Sequence, residues 1–278
     1  MLRQRVITAL ILAGALIATL LFAPYAVQAM LFALVAAAGG WEWAALVGAR
    51  RARSRALYAA IIPLLCGGLW VGLSLNGSEA AMHARPWLAA TALLWSAMLV
   101  GLKYYSAGRG IWGHAWVRAL MGWLMLTATW LAVTVCLTLI NGPFVVFLLI
   151  LTVASADIGA YFAGRRFGQH ALAVEISPAK TWEGFWGGML CVALLATLIW
   201  QNLPLSQLHL GWGSLMVLGL ATAGASVVGD LTVSLLKREV GLKDSGSLLP
   251  GHGGLMDRLD SICGAAPVFA LGLLLIGY

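Results

Sequence analysis

Three aspartates beside membrane-length apolar segments are the residues of this sequence best suited to chemistry. Asp230 lies near the end of one such segment, and Asp257 and Asp260 lie near the start of the next. Residues three positions apart on a helix face the same way, so Asp257 and Asp260 are expected to share one face. Gathered carboxylates repel one another unless a cation lies among them, and carboxylate oxygens suit Mg²⁺. The alternative is that each aspartate caps a helix or pairs with a cation such as Arg258.

The polar stretch between residues 237 and 260 has the composition of a phosphate-binding loop. Glycines let backbone N–H groups approach a bound anion, and basic side chains supply cations for phosphates. The glycines and cations of this stretch are Gly241, Gly246, Gly251, Gly253, Gly254, Lys237, Arg238, Lys243 and Arg258. Carboxylates beside such a loop predict a nucleotide or pyrophosphate site, with an ordinary basic cytoplasmic loop as the alternative. The glycine motifs of the two common soluble nucleotide-binding folds are absent from the sequence.

The segments that carry these residues are too apolar for a soluble protein. The 278 residues are 62% hydrophobic and only 10% charged, whereas about a quarter of the residues of a soluble domain are charged. The apolar runs have about the length of a helix that crosses a bilayer. They are residues 6–23, 25–47, 57–75, 87–102, 116–139, 142–163, 184–202, 210–231 and 262–277. The sequence therefore predicts an all-α, polytopic integral membrane protein of about nine transmembrane helices.

The charged residues predict the orientation of this bundle. In a nine-helix arrangement, every Lys and Arg except Arg85 lies on one side of the membrane. By the positive-inside rule that side is the cytoplasm, which makes the N-terminus cytoplasmic and the C-terminus periplasmic. The net charge of +7 then reflects topology and attraction to anionic lipids, and no nucleic acid partner is expected. Every acid except Glu79 falls on the same side, which predicts a polar chamber that contains Glu42, Asp157, Glu183, Asp230 and Asp260.

Residues 234–260, with the sequence SLLKREVGLKDSGSLLPGHGGLMDRLD, resemble the family pattern of phosphatidate cytidylyltransferases, also called CDP-diacylglycerol synthases. Residues 157–168 and 177–184 are similar to the same family, although Ala179 stands where a lysine is expected. The resemblance is strong over residues 142–278, and upstream it rests on the helical pattern and on Trp41-Glu42-Trp43. We therefore divide the chain into N-terminal transmembrane helices (1–140) and a C-terminal catalytic transmembrane region with cytoplasmic loops (141–278).

The resemblance implies transfer of the cytidylyl group of CTP to phosphatidic acid in the bilayer, forming CDP-diacylglycerol and pyrophosphate. It also implies Mg²⁺, a monovalent cation such as K⁺, a homodimer, and a bacterial inner membrane location with the active site at the cytoplasmic face. The expected metal ligands are Asp230, Asp257 and Asp260. The expected catalytic residues are Asp230, Asp257, Lys237, Arg238 and Lys243. The expected substrate-binding residues are Ser177, Lys180, Thr181, Lys237, Arg238, Lys243, His252, Gly253, Gly254 and Arg258.

Several alternatives stay open from the residues alone. His252 either binds phosphate or holds the glycine turn, because an ionised phosphatidate needs no strong general base. A CTP-dependent lipid kinase would use a similar site but would transfer the γ-phosphate. A cation-coupled transporter also has buried carboxylates, but no inverted repeat is visible and the polar residues crowd one face. The four cysteines stand singly in or beside apolar runs, which is typical of small buried hydrophobic residues.

Overall fold

The computed structural model describes residues 2–77, 79–103, 109–202, 210–251 and 253–278. Within these ranges the chain is almost entirely helical, with one two-stranded sheet. The helices are α1 (Leu2–Phe22), α2 (Tyr25–Val47), α3 (Ala52–Gly72), α4 (Ala80–Lys103), α5 (Arg109–Trp112), α6 (Ala115–Thr138), α7 (Gly142–Phe167), α8 (Trp182–Asn202), α9 (Trp212–Glu239) and α10 (Met256–Leu275). The strands are β1 (Ala171–Ala173) and β2 (Ser177–Thr181).

Nine of these helices, all except the short α5, are long and apolar enough to cross a membrane. The predicted count of nine spans is therefore confirmed over the described part of the chain. The largest difference at an N-terminal boundary is in α4, which begins at Ala80 instead of residue 87. Arg85 and Pro86 interrupt the apolar run in the sequence, but the backbone remains helical through both of them. The orientation of the bundle stays a prediction.

Two helix boundaries change the setting of the predicted site. Helix α9 continues to Glu239, well beyond the predicted end at residue 231, so Asp230 lies inside the helix and not at its end. Helix α10 begins at Met256 and not at residue 262, so Asp257 lies in its first turn. Both extensions contain charged residues, and a search for uninterrupted apolar runs detects only the part of a helix that lipid surrounds.

The two-stranded sheet is the exception to the predicted all-α fold. Strands β1 and β2 form an antiparallel hairpin between α7 and α8, in which Ala171 pairs with Thr181 and Ala173 pairs with Ser177. The backbone N–H of Trp182 also donates to His170 O at 2.9 Å. Strands this short show no clear alternation of apolar and polar residues, so the sequence pattern does not predict them. The hairpin determines where the polar residues of β2 lie.

Glycines allow the helices around the site to approach one another closely. A Cβ atom on Gly188 of α8 would lie 2.7 Å from Ala156 O of α7, so only glycine fits this crossing. In the same way, a Cβ atom on Gly264 of α10 would lie 2.9 Å from the Cα atom of Gly229 on α9. Such contacts between small residues are typical of membrane helix pairs. They bring the aspartates of α7, α9 and α10 into one region.

Polar contacts join the N-terminal half of the chain to the glycine-rich loop at one end of the bundle. From α1, Arg5 Nε donates to Gly251 O at 2.9 Å and Thr8 Oγ1 donates to Pro250 O at 2.9 Å. At the start of α6, buried Arg118 donates from Nε to Leu46 O at 2.6 Å, near the end of α2. These helix ends all belong to the side on which the sequence concentrates its basic residues.

Candidate active site

A cavity of about 420 Å³ is lined by residues of α7, α8, α9 and the β1–β2 hairpin. Its ionisable lining residues include Asp157 on α7, Lys180 on β2 and Asp230 on α9, and apolar residues such as Phe185 and Val227 line other parts. The volume lies within the range of small-molecule sites. The cavity is therefore suited to a ligand with a charged part and an apolar part.

An ion pair between Lys180 and Asp230 joins the hairpin to α9 at this cavity. The two side chains are 30% and 24% exposed, so both remain accessible to a ligand. Asp230 also accepts a hydrogen bond from Ser234 Oγ at 3.2 Å. Next to Lys180, Thr181 Oγ1 accepts a hydrogen bond from Gly184 N at 3.1 Å, which fixes the end of β2 to the first turn of α8.

A second ion pair connects the end of α9 to the start of α10. Lys237 Nζ lies 2.8 Å from Asp257 Oδ1, and these side chains are only 10% and 14% exposed. The backbone N–H of Ser245 donates to Asp257 Oδ2 at 3.0 Å. Asp257 therefore holds both a cation of α9 and the loop between α9 and α10.

Asp260 lies buried near both ion pairs. It interacts electrostatically with Asp230, with Lys237 and with Lys180, and its Oδ1 accepts a hydrogen bond from Ser261 N at 2.8 Å. The carboxylates and ammonium groups of the two pairs thus form one cluster in which Asp260 is an additional buried acid. A cluster of this kind attracts cations and can also exchange its internal partners for the charges of a ligand.

Asp157 extends the cluster toward α7. Its carboxyl group interacts electrostatically with Asp230, Lys180 and Arg258. Arg258 is exposed on the first turn of α10. The structure therefore brings together the predicted residues Lys180 and Asp230, and Arg258 interacts with the Asp157 carboxyl group.

Four other predicted substrate-binding residues are placed as follows. Arg238 is exposed in the last turn of α9, and its Nε donates to Ile176 O at 3.3 Å, which fixes the hairpin to that helix. Lys243 is exposed in the loop after α9. Ser177 lies at the opposite end of β2 from Thr181 and does not line the described cavity. His252 lies outside the described residues.

The glycines of the loop have packing roles that the sequence did not predict. Gly253 has φ +83° and exchanges backbone hydrogen bonds with Leu249 at 2.9 and 3.1 Å, so a side chain there would strain the turn. A Cβ atom on Gly254 would collide with Ser245 Oγ and would lie 2.9 Å from Asp257 Oδ2. The expected contact of Gly253 and Gly254 with phosphate stays a prediction.

Glu42 is the residue whose importance the sequence did not resolve. The sequence predicts that it belongs to the acids of the polar chamber and indicates no partner for it. In the structure it is 2% exposed and accepts hydrogen bonds from Leu248 N, in the loop before α10, and from Met256 N, at the first residue of α10. The sequence contains one signal for this role, a carboxylate between Trp41 and Trp43 inside an apolar run. Burying such a charge is costly unless hydrogen-bond donors or cations surround it.

The carboxylates of the cluster are the candidate ligands for the expected Mg²⁺. No three Asp, Glu, His or Cys side chains among the described residues are grouped so as to hold a metal ion. The oxygens of Asp257 are engaged by Lys237 and Ser245, whereas Asp230 and Asp260 interact with each other as like charges. Mg²⁺ in nucleotide sites is usually bound by one or two carboxylates together with phosphate oxygens. The chemistry of Asp230 and Asp260 fits that arrangement, and the assignment of Asp230, Asp257 and Asp260 as metal ligands stays a prediction.

These features define a class of protein: a multi-pass membrane protein with a mixed-charge site at one end of its helical bundle. The family model described as "Cytidylyltransferase family" matches residues 3–276 of the chain. The chain therefore belongs to the cytidylyltransferase family. The resemblance inferred from residues 234–260 is confirmed by this match.

The sequences of individual relatives agree with the family. The chain is 39% identical to the phosphatidate cytidylyltransferase of Pseudomonas aeruginosa, with 100% of this chain and 99% of that protein covered. It is 32% identical to the phosphatidate cytidylyltransferase of Haemophilus influenzae, with 97% and 98% covered. It is also 43% identical to the enzyme of that name from Mycobacterium tuberculosis, over 45% of this chain and 37% of that protein.

Proposed function

We propose that this chain transfers the cytidylyl group of CTP to phosphatidic acid, forming CDP-diacylglycerol and releasing pyrophosphate. The observation that carries this proposal is the end-to-end similarity to two proteins named phosphatidate cytidylyltransferase. The chain is then a nucleotidyltransferase of phospholipid biosynthesis. Its substrates are one soluble nucleotide and one lipid, so its site must lie where water and bilayer meet.

The residues around the cavity support a position at the boundary between water and the bilayer. Tyr161, Trp182 and Trp186 are exposed on α7 and α8, in the part of the bundle that lines the cavity. Exposed Tyr and Trp side chains are enriched at membrane–water interfaces, because the ring is apolar and the polar atom reaches water. A phosphatidic acid headgroup at this depth lies level with Lys180, while its acyl chains remain in the bilayer.

The reaction is an in-line displacement at phosphorus. A phosphate oxygen of phosphatidic acid forms a bond to the α-phosphorus of CTP, and the bond from that phosphorus to the pyrophosphate oxygen breaks. The nucleophile is already ionised, so catalysis rests on positioning the two substrates and neutralising their charge. Mg²⁺, when bound with CTP, supplies further neutralisation of the charge on the leaving pyrophosphate.

Different residues of the site would bind the phosphates, hold Mg²⁺ and attract CTP. We assign Lys180, Lys237 and Arg258 to the phosphates, because their ammonium and guanidinium groups border one cluster. Asp230 and Asp260 would hold Mg²⁺ with oxygens of the triphosphate. Lys243 and Arg238 are exposed near the loop and would attract CTP from solution. A monovalent cation such as K⁺ remains an expectation from the family resemblance.

The topology completes the proposal. We place the site at the cytoplasmic face of a bacterial inner membrane, with the N-terminus inside and the C-terminus outside. The contact of Arg5 with Gly251 supports this orientation, because it brings the basic start of α1 to the glycine-rich loop beside the site. The homodimer and the division into residues 1–140 and 141–278 stay predictions from the resemblance.

Radiolabelled CTP distinguishes this function from a lipid kinase. Purified protein in mixed micelles would receive phosphatidic acid, Mg²⁺ and CTP labelled on either the α- or the γ-phosphate. The proposal expects α-label in the lipid and γ-label in released pyrophosphate. Transfer of the γ-label to lipid would instead identify a CTP-dependent kinase and would contradict the proposal.

A further inference from the structure

A buried carboxylate of α2 holds the loop between α9 and α10. Glu42 Oε2 accepts hydrogen bonds from Met256 N at 2.8 Å and from Ser245 Oγ at 3.2 Å, and Oε1 accepts one from Leu248 N at 3.1 Å. Glu42 itself is 2% exposed. A buried carboxylate is tolerated when its oxygens are satisfied, so these donors are needed to accommodate the charge. Met256 N also belongs to the first residue of α10, where the helix dipole favours a negative group.

Ser245 connects Glu42 to the ion pair of the candidate active site. Its hydroxyl donates to Glu42, while its backbone N–H donates to Asp257 at 3.0 Å. Asp257 in turn accepts a hydrogen bond from Lys237 Nζ at 2.8 Å. These contacts form a continuous chain from α2 through the loop and α10 to the last turn of α9. The position of the Lys237 ammonium group therefore depends on a residue that is distant in sequence and does not contact it.

The loop is also packed tightly around Glu42. A Cβ atom on Gly246 would collide with the Glu42 carboxylate. A Cβ atom on Gly254 would lie 2.8 Å from Glu42 Oε2 and would collide with Ser245 Oγ. The backbone of the loop can approach the carboxylate only because these two positions are glycine. The fit specifies one conformation of the loop, which is what a preorganised phosphate site requires.

We propose that Glu42 is a positioning residue for the transfer reaction. It fixes the loop between α9 and α10, and through Ser245 and Asp257 it fixes the ammonium group of Lys237 beside the cluster. The proposal rests on the proposed function, because Lys237 is assigned there to the phosphates of CTP. Glu42 does not touch a substrate, so its effect is transmitted to CTP use and leaves phosphatidic acid binding nearly unchanged.

Three single variants test the role of Glu42. Glu42→Gln keeps the size of the side chain but replaces one acceptor oxygen with an NH₂ group, which cannot accept from the loop. Ser245→Ala removes only the hydroxyl bond to Glu42. Gln28→Leu is the matched control, since Gln28 is also buried on α2 and hydrogen-bonded, to Thr19 O, Leu20 O and Ala23 O, near the opposite end of the helix.

The measurement is steady-state kinetics with each substrate varied, normalised to the folded fraction from thermal unfolding in detergent. In Glu42→Gln, kcat/KM for CTP should fall about 10- to 100-fold, while KM for phosphatidic acid changes less than about twofold. Ser245→Ala should lower kcat/KM for CTP in the same direction. The double variant should lose little more than Glu42→Gln alone, because both changes break one chain of contacts. Gln28→Leu should lower the melting temperature and leave both constants unchanged.

Normal CTP kinetics in folded Glu42→Gln would overturn the proposal, as would a KM for phosphatidic acid that rises as much as the KM for CTP. If Glu42→Gln does not fold, Ser245→Ala decides, and wild-type constants in that variant would overturn it. An inactive wild-type protein would count against the proposed function instead, so the two failures are distinguishable.

Discussion

Replacing Asp257 with Asn changes the more deeply buried ion pair of the site with little change in volume. Removing one partner of a buried ion pair costs about 3–5 kcal/mol. Asn keeps one acceptor oxygen for Lys237, but its NH₂ group then faces the N–H of Ser245, so one hydrogen bond is lost. We therefore expect a smaller loss of unfolding free energy, about 2 kcal/mol. That loss lowers the melting temperature by roughly 5 °C for a chain of this size and leaves the protein folded at 25 °C.

The same substitution should lower turnover far more than stability. Lys237 would keep its charge but lose the carboxylate that orients it, and loss of one preorganised electrostatic contact reduces kcat by about 100-fold or more. A double variant, Lys237→Met with Asp257→Leu, provides the control. It replaces the ion pair with apolar side chains and should recover much of the lost stability without recovering turnover.

The assay for Asp257→Asn combines CDP-diacylglycerol formation with thermal unfolding in detergent. The Mg²⁺ dependence separates the two roles considered for Asp257. If Asp257 orients Lys237, the Mg²⁺ concentration for half-maximal activity stays nearly constant while kcat/KM for CTP falls. If Asp257 is a metal ligand, that Mg²⁺ concentration rises several-fold. Near-normal turnover in Asp257→Asn would refute both roles, because each role requires the negative charge that Asn lacks.

Three further predictions concern the hairpin, the loop and the topology. Lys180→Met removes the ion-pair partner of Asp230, which then lies beside other acids. We expect the unfolding free energy to fall by about 1–3 kcal/mol and kcat/KM for CTP to fall about 100-fold. Wild-type kinetics would remove Lys180 from the site. Lys243→Ala should raise KM for CTP by about two- to fivefold without changing the melting temperature, since the residue is exposed. Unchanged kinetics would exclude Lys243 from CTP capture. Cysteines at Arg50 and Val174 should react with a membrane-impermeant maleimide only from the cytoplasmic side, and periplasmic labelling of either would contradict the orientation.

The sequence was sufficient for the parts of the fold that lipid determines. Each apolar run corresponds to a helix, because a backbone inside a bilayer must satisfy its own hydrogen bonds. It was less informative where water replaces lipid. The polar turns that lengthen α9 beyond residue 231, and those that begin α10 at Met256, carry no hydropathy signal. Strand β2 contains Pro178 and only five residues, so neither its propensity nor its pattern identified it.

The site was predictable in its composition but not in its connections. Lys180, Asp230 and Asp257 were selected by residue type and family pattern. The pairing of Lys180 with Asp230, and of Lys237 with Asp257, depends on helix crossings that a single sequence does not specify. The contact of Glu42 with a loop more than 200 positions later in the chain was invisible for the same reason. Local patterns identify which side chains are costly to bury, and only the fold determines which partners satisfy them.

The proposed cytidylyl transfer is tested most directly by measuring product formation by the wild-type protein and by one matched variant. Purified protein in proteoliposomes that contain phosphatidic acid would receive CTP and Mg²⁺ from the outside, with CDP-diacylglycerol and pyrophosphate quantified together. Cytidylyl transfer at this site predicts equal amounts of both products from the wild-type protein and almost none from Asp230→Asn, which preserves the size of the side chain but removes a charge from the Lys180 pair. Undiminished product formation by Asp230→Asn, or pyrophosphate without CDP-diacylglycerol from the wild-type protein, would contradict it.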